Sequence, residues 1–168
     1  QLLGRFTTGV CVLTARTADG RLQGMTANSL SSISLVPPLV LVSIDHRAAM
    51  HPTLTTCRAF AVNILSAGQE GVSRRFANDH EDRFEGVGYQ ESPRGLVLLD
   101  GALAHLEVER ETCHEAGDHT LVIGRVVGGA ALQFTPVGAF GYVYFSDKTQ
   151  QGNYGRQAAT LGDATRQK

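Results

Sequence analysis

The sequence predicts a mainly β domain built as an antiparallel barrel with a few short helices. Short runs of apolar and β-branched residues recur along the 168-residue chain and are separated by turn-forming residues. The helical patterns between them are few and do not alternate regularly with the strands, as a doubly wound parallel sheet would require. We therefore expect residues 1–168 to form a single domain, with a polar tail over about 147–168.

Composition argues against several classes of partner. Fifteen basic and sixteen acidic residues are mixed along the chain and give a formal charge of −1, so we expect no binding to nucleic acid or to a membrane. The longest apolar runs fall far short of the roughly 20 residues that span a bilayer. Three widely spaced cysteines are typical of reduced thiols and predict a cytoplasmic protein.

The first half of the chain predicts three strands. Residues 1–8 have the spacing of a helix that ends before Gly9, and residues 10–15 form an apolar first strand. Asp19-Gly20 predicts the turn of a hairpin that returns toward residue 26. Residues 39–44 form a continuous apolar run, which predicts a strand buried on both faces, with pairing that begins after Pro37-Pro38.

The middle of the chain predicts a short helix, a strand and a second helix. Residues 46–57 place Pro52 where a first helical turn tolerates it. Residues 58–65 alternate as a strand in which Asn63 is the odd polar group. Ser66-Ala-Gly-Gln69 has the form of a capping box and predicts a helix that runs through Phe76.

The last part of the chain is predicted as a loop followed by three strands. Glycine, proline and charged residues over 78–95 are typical of a loop. Residues 102–113 and 119–127 predict an antiparallel pair joined at 115–118, and residues 139–145 predict the last strand. Among the six histidines and three cysteines, Cys113-His114 is the one pair at ligand spacing, and its side chains would point to opposite faces of a strand, so we expect no metal site.

The most polar stretch of the chain directly precedes the 39–44 strand. Six short polar side chains occupy nine positions there: Thr26, Asn28, Ser29, Ser31, Ser32 and Ser34. Such side chains compete with regular backbone pairing and leave amides free to face an oxygen-rich ligand. From composition alone, a solvated loop that feeds a core strand is an equally open interpretation.

Four segments, in order along the chain, resemble the short-chain flavin reductase family, whose members supply reduced flavin to two-component monooxygenases. They are Gly4-Arg-Phe-Thr-Thr-Gly-Val10, the Gly-Met-Thr-Ala-Asn-Ser stretch at 24–29 with its continuation to Ile44, Arg58-Ala-Phe-Ala-Val-Asn-Ile-Leu65, and Gly117-Asp118-His119. The resemblance spans roughly residues 2–145. It implies an FMN-binding split barrel, usually a homodimer, that transfers hydride from NADH or NADPH to FMN or FAD.

The resemblance also implies which residues bind the flavin and the nicotinamide. The flavin ring and its surroundings are assigned to Thr26, Ala27, Asn28, Ser29, Ser32, Ser43 and Asp45. The flavin phosphate is assigned to the basic-aromatic segment Arg75, Phe76 and Ala77, where Arg75 could bind it bidentately. The nicotinamide side is assigned to Gly117 and Asp118, and a closing motif to Tyr154. Ala48 and Met50 depart from the family pattern, which often has hydroxyl residues there.

His119 is the predicted catalytic residue. A histidine at the mouth of an apolar strand can offer a ring nitrogen to the nicotinamide amide or to the reduced flavin. Judged without the resemblance, a histidine that is hydrogen-bonded within the hairpin is the favoured interpretation, and Asp118 is expected to shape the turn. Two other functions remain open: a flavin-binding protein of the same fold without nicotinamide turnover, and a barrel with no cofactor.

Overall fold

A computed structural model describes residues 8–78 and 82–131. Its strands, in chain order, are β1 Cys11–Arg16, β2 Leu22–Ala27, β3 Ser31–Leu35, β4 Pro38–Asp45, β5 Ala59–Ile64, β6 Tyr89–Glu91, β7 Val97–Leu99, β8 Ala104–Ala116 and β9 His119–Ala131. Its helices are α1 His51–Thr56 and α2 Glu70–Ala77, and a 3₁₀ turn at Ala67–Gln69 precedes α2. Residues 1–7 of the predicted first helix, the strand over 139–145, the polar tail and Tyr154 lie outside the described residues.

The order of the strands shows that the main sheet curls into a barrel. Seven antiparallel strands follow the order β2-β1-β5-β8-β9-β4-β3, so β2 and β3 lie at opposite edges although only residues 28–30 join them. In a flat sheet, six strand spacings would separate those edges by about 29 Å. The connection from Ala27 to Ser31 spans at most about 15 Å. The edges must therefore approach each other, which confirms the predicted antiparallel split barrel.

The barrel core is built by alternation on its strands, with one difference from the prediction. On β4, Val40, Val42 and Ile44 are buried, whereas the side chains between them are half-buried. The expectation that this strand is buried on both faces was therefore wrong. Burial on both faces occurs instead on β5, where Phe60 to Asn63 are all buried, because β7 packs over the second face of that strand.

The predicted turns and helix starts are confirmed. Gly20 and Gly117 have positive φ angles of 84° and 68° in the β1–β2 and β8–β9 turns, a conformation that glycine adopts without steric cost. Pro52 lies in the first turn of α1. The Ser66 and Gln69 capping box precedes α2. These local sequence patterns predict the structure correctly because the tertiary contacts favour the same conformations.

Two stretches predicted as irregular are strands. The serine-rich stretch contains β3, which pairs with β4 through Ser31 opposite Leu41, with a bulge between Ser32 and Ser34. Within 78–95, residues 89–91 form β6 and pair with β7. Both strands belong to local hairpins, and they were missed because their polar, mostly exposed side chains lack the apolar pattern of a strand.

Candidate active site

The predicted catalytic turn lies beside the end of β4. Asp45 is the direct partner of His119 in the β4–β9 ladder. The backbone N–H of His46 donates to the carbonyl of Asp118 at 3.0 Å. The hairpin turn and the segment after β4 are therefore held together by backbone bonds, so that Asp45 and His119 face the same side of the sheet.

His119 and Asp118 form a hydrogen-bonded pair at this turn. Nδ1 of His119 lies 2.7 Å from Oδ1 of Asp118, and the histidine side chain is 39% exposed. This hydrogen bond, followed by the charge of His119, holds the pKa of Asp118 below its usual range. Because an ionised carboxylate can only accept, Nδ1 carries the proton and Nε2 is the ring nitrogen that can face a ligand. Asp118 thus orients His119, a role that the sequence did not suggest.

Asp45 is an acid that stays ionised. Arg47 donates its backbone N–H and its Nη2 to the two oxygens of Asp45, each at 2.8 Å. These bonds, with a smaller contribution from His119, hold the pKa of Asp45 well below its usual range. The Arg47 side chain is 86% exposed. The end of β4 therefore presents a fixed carboxylate and an exposed cation beside His119.

The predicted flavin-contacting stretch is tied to this end of β4 by Ser29. Its hydroxyl donates to the carbonyl of Ser43 at 2.9 Å and accepts the N–H of Ser43 at 3.1 Å. The 28–30 connection therefore lies against β4 two residues before Asp45. The Ser29 hydroxyl is used by the backbone, so we expect Ser29 to shape the site rather than to bind the flavin itself.

The other hydroxyls and amides of this stretch divide into internal and exposed groups. Thr26 donates its hydroxyl to the carbonyl of Ser73 in α2 at 2.6 Å. Ala27 is buried, and its carbonyl accepts the Cys11 thiol. Asn28 and Ser32 are exposed. Within the described parts of the chain, Asn28 is therefore the side chain of the 26–29 stretch best placed to meet a ligand.

The segment assigned to the flavin phosphate is placed differently from the prediction. Phe76 is 1% exposed and packs in a core cluster with Val12, Val97 and Leu99. Its ring is a core side chain, which corrects the expectation of a ligand contact. Arg75 donates Nε to the carbonyl of Arg83 at 3.0 Å and Nη2 to the carbonyl of Asp82 at 3.3 Å. Ala77 is exposed at the end of α2.

A cleft of about 660 Å³ runs along the outer edge of β2, next to the predicted flavin stretch. Its walls are residues 21–24, Ala49 with Met50, residues 82–85 and Tyr89. This volume lies within the range typical of small-molecule sites. The cleft was not predicted from the sequence, because residues 82–85 reach the edge of β2 only through the tertiary fold.

Comparisons with known proteins agree with this arrangement. Residues 3–152 match the flavin reductase like domain. An FMN reductase (NADH) of Agrobacterium fabrum is 41% identical over 143 residues, which cover 83% of this chain and 81% of that protein.

The chain belongs to the flavin reductase-like family.

Two solved structures of flavin reductases extend the comparison. The Streptomyces globisporus NADH:FAD oxidoreductase, in complex with NAD and FAD fragments, superposes with a TM-score of 0.75 at 37% identity and covers 82% of this chain and 92% of that chain. The styrene monooxygenase flavin reductase of Pseudomonas putida superposes with a TM-score of 0.72 at 38% identity and covers 78% of this chain and 84% of that chain.

The described residues fit a flavin. Gly24 directs its carbonyl outward from β2 to Nη1 of Arg83 at 2.6 Å. Backbone groups of one residue in an antiparallel strand share a side, so the N–H of Gly24 also faces the cleft. An edge strand with outward amides, a cleft and guanidinium groups suit a polar ring edge and a phosphate.

Two features are absent from the described residues. No group of three or more histidine, cysteine, aspartate or glutamate side chains within 8–78 and 82–131 could hold a metal ion. None of the described helices has the length and apolarity needed to cross a membrane.

Proposed function

We propose that this flavin reductase-like chain is a NAD(P)H:flavin oxidoreductase that transfers hydride from a nicotinamide to FMN or FAD. The observation that carries the proposal is the Gly117-Asp118-His119 turn, whose histidine faces Asp45 at the end of β4. The similar proteins named above include an FMN reductase (NADH) and an NADH:FAD oxidoreductase, which supports NADH as the hydride donor.

The residues around this turn would position the two rings. Bound flavin supplies the hydride acceptor. The backbone of residues 26–29 and the Asn28 amide would hold the polar edge of the flavin ring, near Ser43 and Asp45. Nε2 of His119 would accept a hydrogen bond from the nicotinamide amide while Asp118 holds Nδ1. Holding two reactants in line contributes more to such a reaction than proton transfer by the protein does.

We further propose that reduced flavin leaves this protein and serves a partner monooxygenase. The similarity to the styrene monooxygenase flavin reductase supports this role. The exposed position of the His119 turn is compatible with a flavin that exchanges with solvent.

The activity is tested by anaerobic oxidation of NADH and NADPH with FMN, FAD and riboflavin in turn. We expect NADH to bleach the absorbance of at least one flavin in a one-to-one ratio. If flavin binds but neither nicotinamide reduces it, the chain is a flavin-binding protein without nicotinamide turnover.

We also propose a two-fold homodimer, because β3 and the turn after it expose an apolar surface. Ile33, Leu35 and Val36 are 46%, 54% and 81% exposed. Contiguous apolar side chains of this size are typical of contact surfaces. This surface adjoins the 26–29 stretch, so a partner subunit would also cover the flavin.

Light scattering of the wild type and of Ile33→Glu with Leu35→Glu tests the dimer. We expect twice the chain mass for the wild type and the single-chain mass for the variant. A monomeric wild type that still binds flavin would refute the dimer.

A cytoplasmic location is proposed from the cysteines. Cys11, Cys57 and Cys113 are all free, and burial raises the pKa of the Cys11 thiol to about 12, so that thiol is unreactive at neutral pH. Cell fractionation tests the location, and recovery from the periplasm would contradict it.

A further inference from the structure

Glu115 lies behind the His119 turn, on the other face of the sheet. It is the direct partner of Thr120 in the β8–β9 ladder, and Thr120 is the direct partner of Ile44. Directly paired residues share a face, and successive residues of a strand alternate between faces. Glu115 and Thr120 therefore lie on the face opposite to that of His119. Thr120 is 1% exposed, whereas the Glu115 side chain is 73% exposed, so their contact runs from the core to the surface.

Two histidines converge on the Glu115 carboxylate. Nε2 of His46 lies 2.9 Å from Oε2 of Glu115. Thr120 donates its hydroxyl to Oε1 of Glu115 at 3.1 Å, and Nε2 of His51 lies 2.8 Å from the same hydroxyl oxygen. A hydroxyl has a single hydrogen and an ionised carboxylate can only accept, so Nε2 carries the proton in both rings. The two rings also pack edge-on, with their centroids 5.2 Å apart.

His46 holds the hairpin at two points. Its backbone N–H donates to the carbonyl of Asp118, and its ring reaches the carboxylate of Glu115. The first bond fixes the turn itself, and the second fixes the strand that leads into the turn. Asp118 in turn contacts Nδ1 of His119. A displacement of the hairpin relative to His46 would therefore move the His119 ring.

The exposure of Glu115 separates its effect on position from its effect on stability. Exposed ion pairs contribute little to the free energy of unfolding, so the protein should fold without this carboxylate. Hydride transfer is more demanding, because a small misplacement of one reactant lowers the rate strongly. The position of the 117–119 turn is therefore the property that loss of Glu115 would change most.

We propose that Glu115 is a positioning residue for hydride transfer, which holds the 117–119 turn through His46, Thr120 and His51 so that His119 meets the nicotinamide. The inference rests on the proposed function. Glu115 acts through His119 and does not contact the nicotinamide or the flavin itself.

The test is anaerobic stopped-flow reduction of the bound flavin by NADH. For Glu115→Ala we expect the second-order rate constant to fall by about three- to tenfold. The flavin dissociation constant should change by less than about twofold, and the melting temperature by less than about 2 °C. Glu115→Gln should recover part of the rate, because its amide oxygen can still accept one of the two hydrogen bonds.

Variants of His46 test the direct arm of this network. His46→Ala should lower the rate as Glu115→Ala does, although it keeps the backbone bond to Asp118. His46→Gln should recover part of the loss, since a side-chain amide can still donate to the carboxylate.

Glu111→Ala is the matched control. Glu111 lies on the same strand as Glu115, and Arg125 donates Nε to its Oε1 at 2.6 Å. Its removal breaks an ion pair on β8 away from the turn, so the reduction rate should stay that of the wild type.

A double variant distinguishes positioning of His119 from a general loosening of the hairpin. If Glu115 acts through His119, then adding Glu115→Ala to His119→Ala should lower the rate no further. A general loosening would lower the rate by the same factor in both backgrounds.

Three results would overturn the proposal: a wild-type rate in Glu115→Ala, an equal loss in Glu111→Ala, or a full additional loss in the double variant. Each of them leaves the reductase function standing. A wild-type protein that binds flavin but is not reduced by NADH or NADPH would contradict the function and the positioning role together.

Discussion

The two ends of the β8–β9 hairpin each carry a histidine, and the surroundings give the two side chains different roles. His105, near the open end, is 2% exposed and donates Nε2 to the carbonyl of Leu99 at 2.8 Å. His119, at the closed end, is 39% exposed beside Asp118 and opposite Asp45. The His105 ring makes its hydrogen bond within the core, whereas Nε2 of the His119 ring can face a ligand.

The polar groups around each histidine follow the same division. Near His105, Asn63 donates to the carbonyl of Val12 at 3.1 Å and to the Thr14 hydroxyl at 3.2 Å, and it accepts the N–H of Leu99 at 2.8 Å. All three of these bonds join Asn63 to buried residues. Around His119, the acids pair with exposed cations at the surface. A polar residue in an apolar strand therefore has a structural role where its hydrogen-bond partners are buried. It is a candidate for function where one of its polar atoms faces solvent.

The largest expected effect concerns the open end. Asn63→Ala leaves the N–H of Leu99 and the carbonyl of Val12 without a side-chain partner in the core. We expect the free energy of unfolding to fall by about 3 kcal/mol, the sum expected for lost hydrogen bonds and desolvated groups. Urea denaturation measures this change. Asn28→Ala, at an exposed amide, is the control and should cost less than about 0.5 kcal/mol. A loss of similar size in both variants would break the distinction between the regions.

How much could be predicted from the sequence also differs between the two ends. Apolar periodicity was enough for β8, β9 and their turn, because both strands follow local patterns. Asn63 stood out as polar, but its partners on β1 and β7 are 36 to 51 residues away in sequence, and no local pattern reveals them.

The site could be predicted only in part, for the same reason. The resemblance placed His119 and the 26–29 stretch, and the structure brings both to the end of β4. The resemblance could not show that Phe76 packs inward against Val12 or that Arg83 reaches β2, because the orientation of α2 depends on the whole barrel.

A smaller effect is expected where Ser29 joins the 28–30 connection to β4. Ser29→Ala removes two hydrogen bonds to the Ser43 backbone, and Asn28→Ala removes the exposed amide. We expect the double variant to weaken flavin binding at least tenfold, about 1.4 kcal/mol, measured by fluorescence quenching. Ser31→Ala, on exposed β3, is the control. An unchanged dissociation constant in the double variant would remove this stretch from the site.

The smallest effect concerns the closed end and its dependence on pH. The pKa of Asp118 is lowered in the folded protein by its bond to His119, so the bond contributes stability above the ordinary carboxyl pKa of about 3.9. That contribution is lost as the pH falls through the lowered value. Asp118→Asn should therefore melt slightly below the wild type at pH 6 and converge with it at low pH. A difference that stays constant with pH would contradict this.

The most direct test of the division between the two ends is anaerobic stopped-flow reduction of the flavin by NADH. For His119→Ala we predict flavin affinity close to that of the wild type and a hydride-transfer efficiency lower by ten- to a hundredfold, about 1.4 to 2.7 kcal/mol of positioning. His119→Asn should recover part of the loss. His105→Asn should lower the melting temperature and keep the rate of the folded protein. Wild-type rates in His119→Ala, or a matching loss of rate in folded His105→Asn, would contradict the assignment of the closed end as the active site.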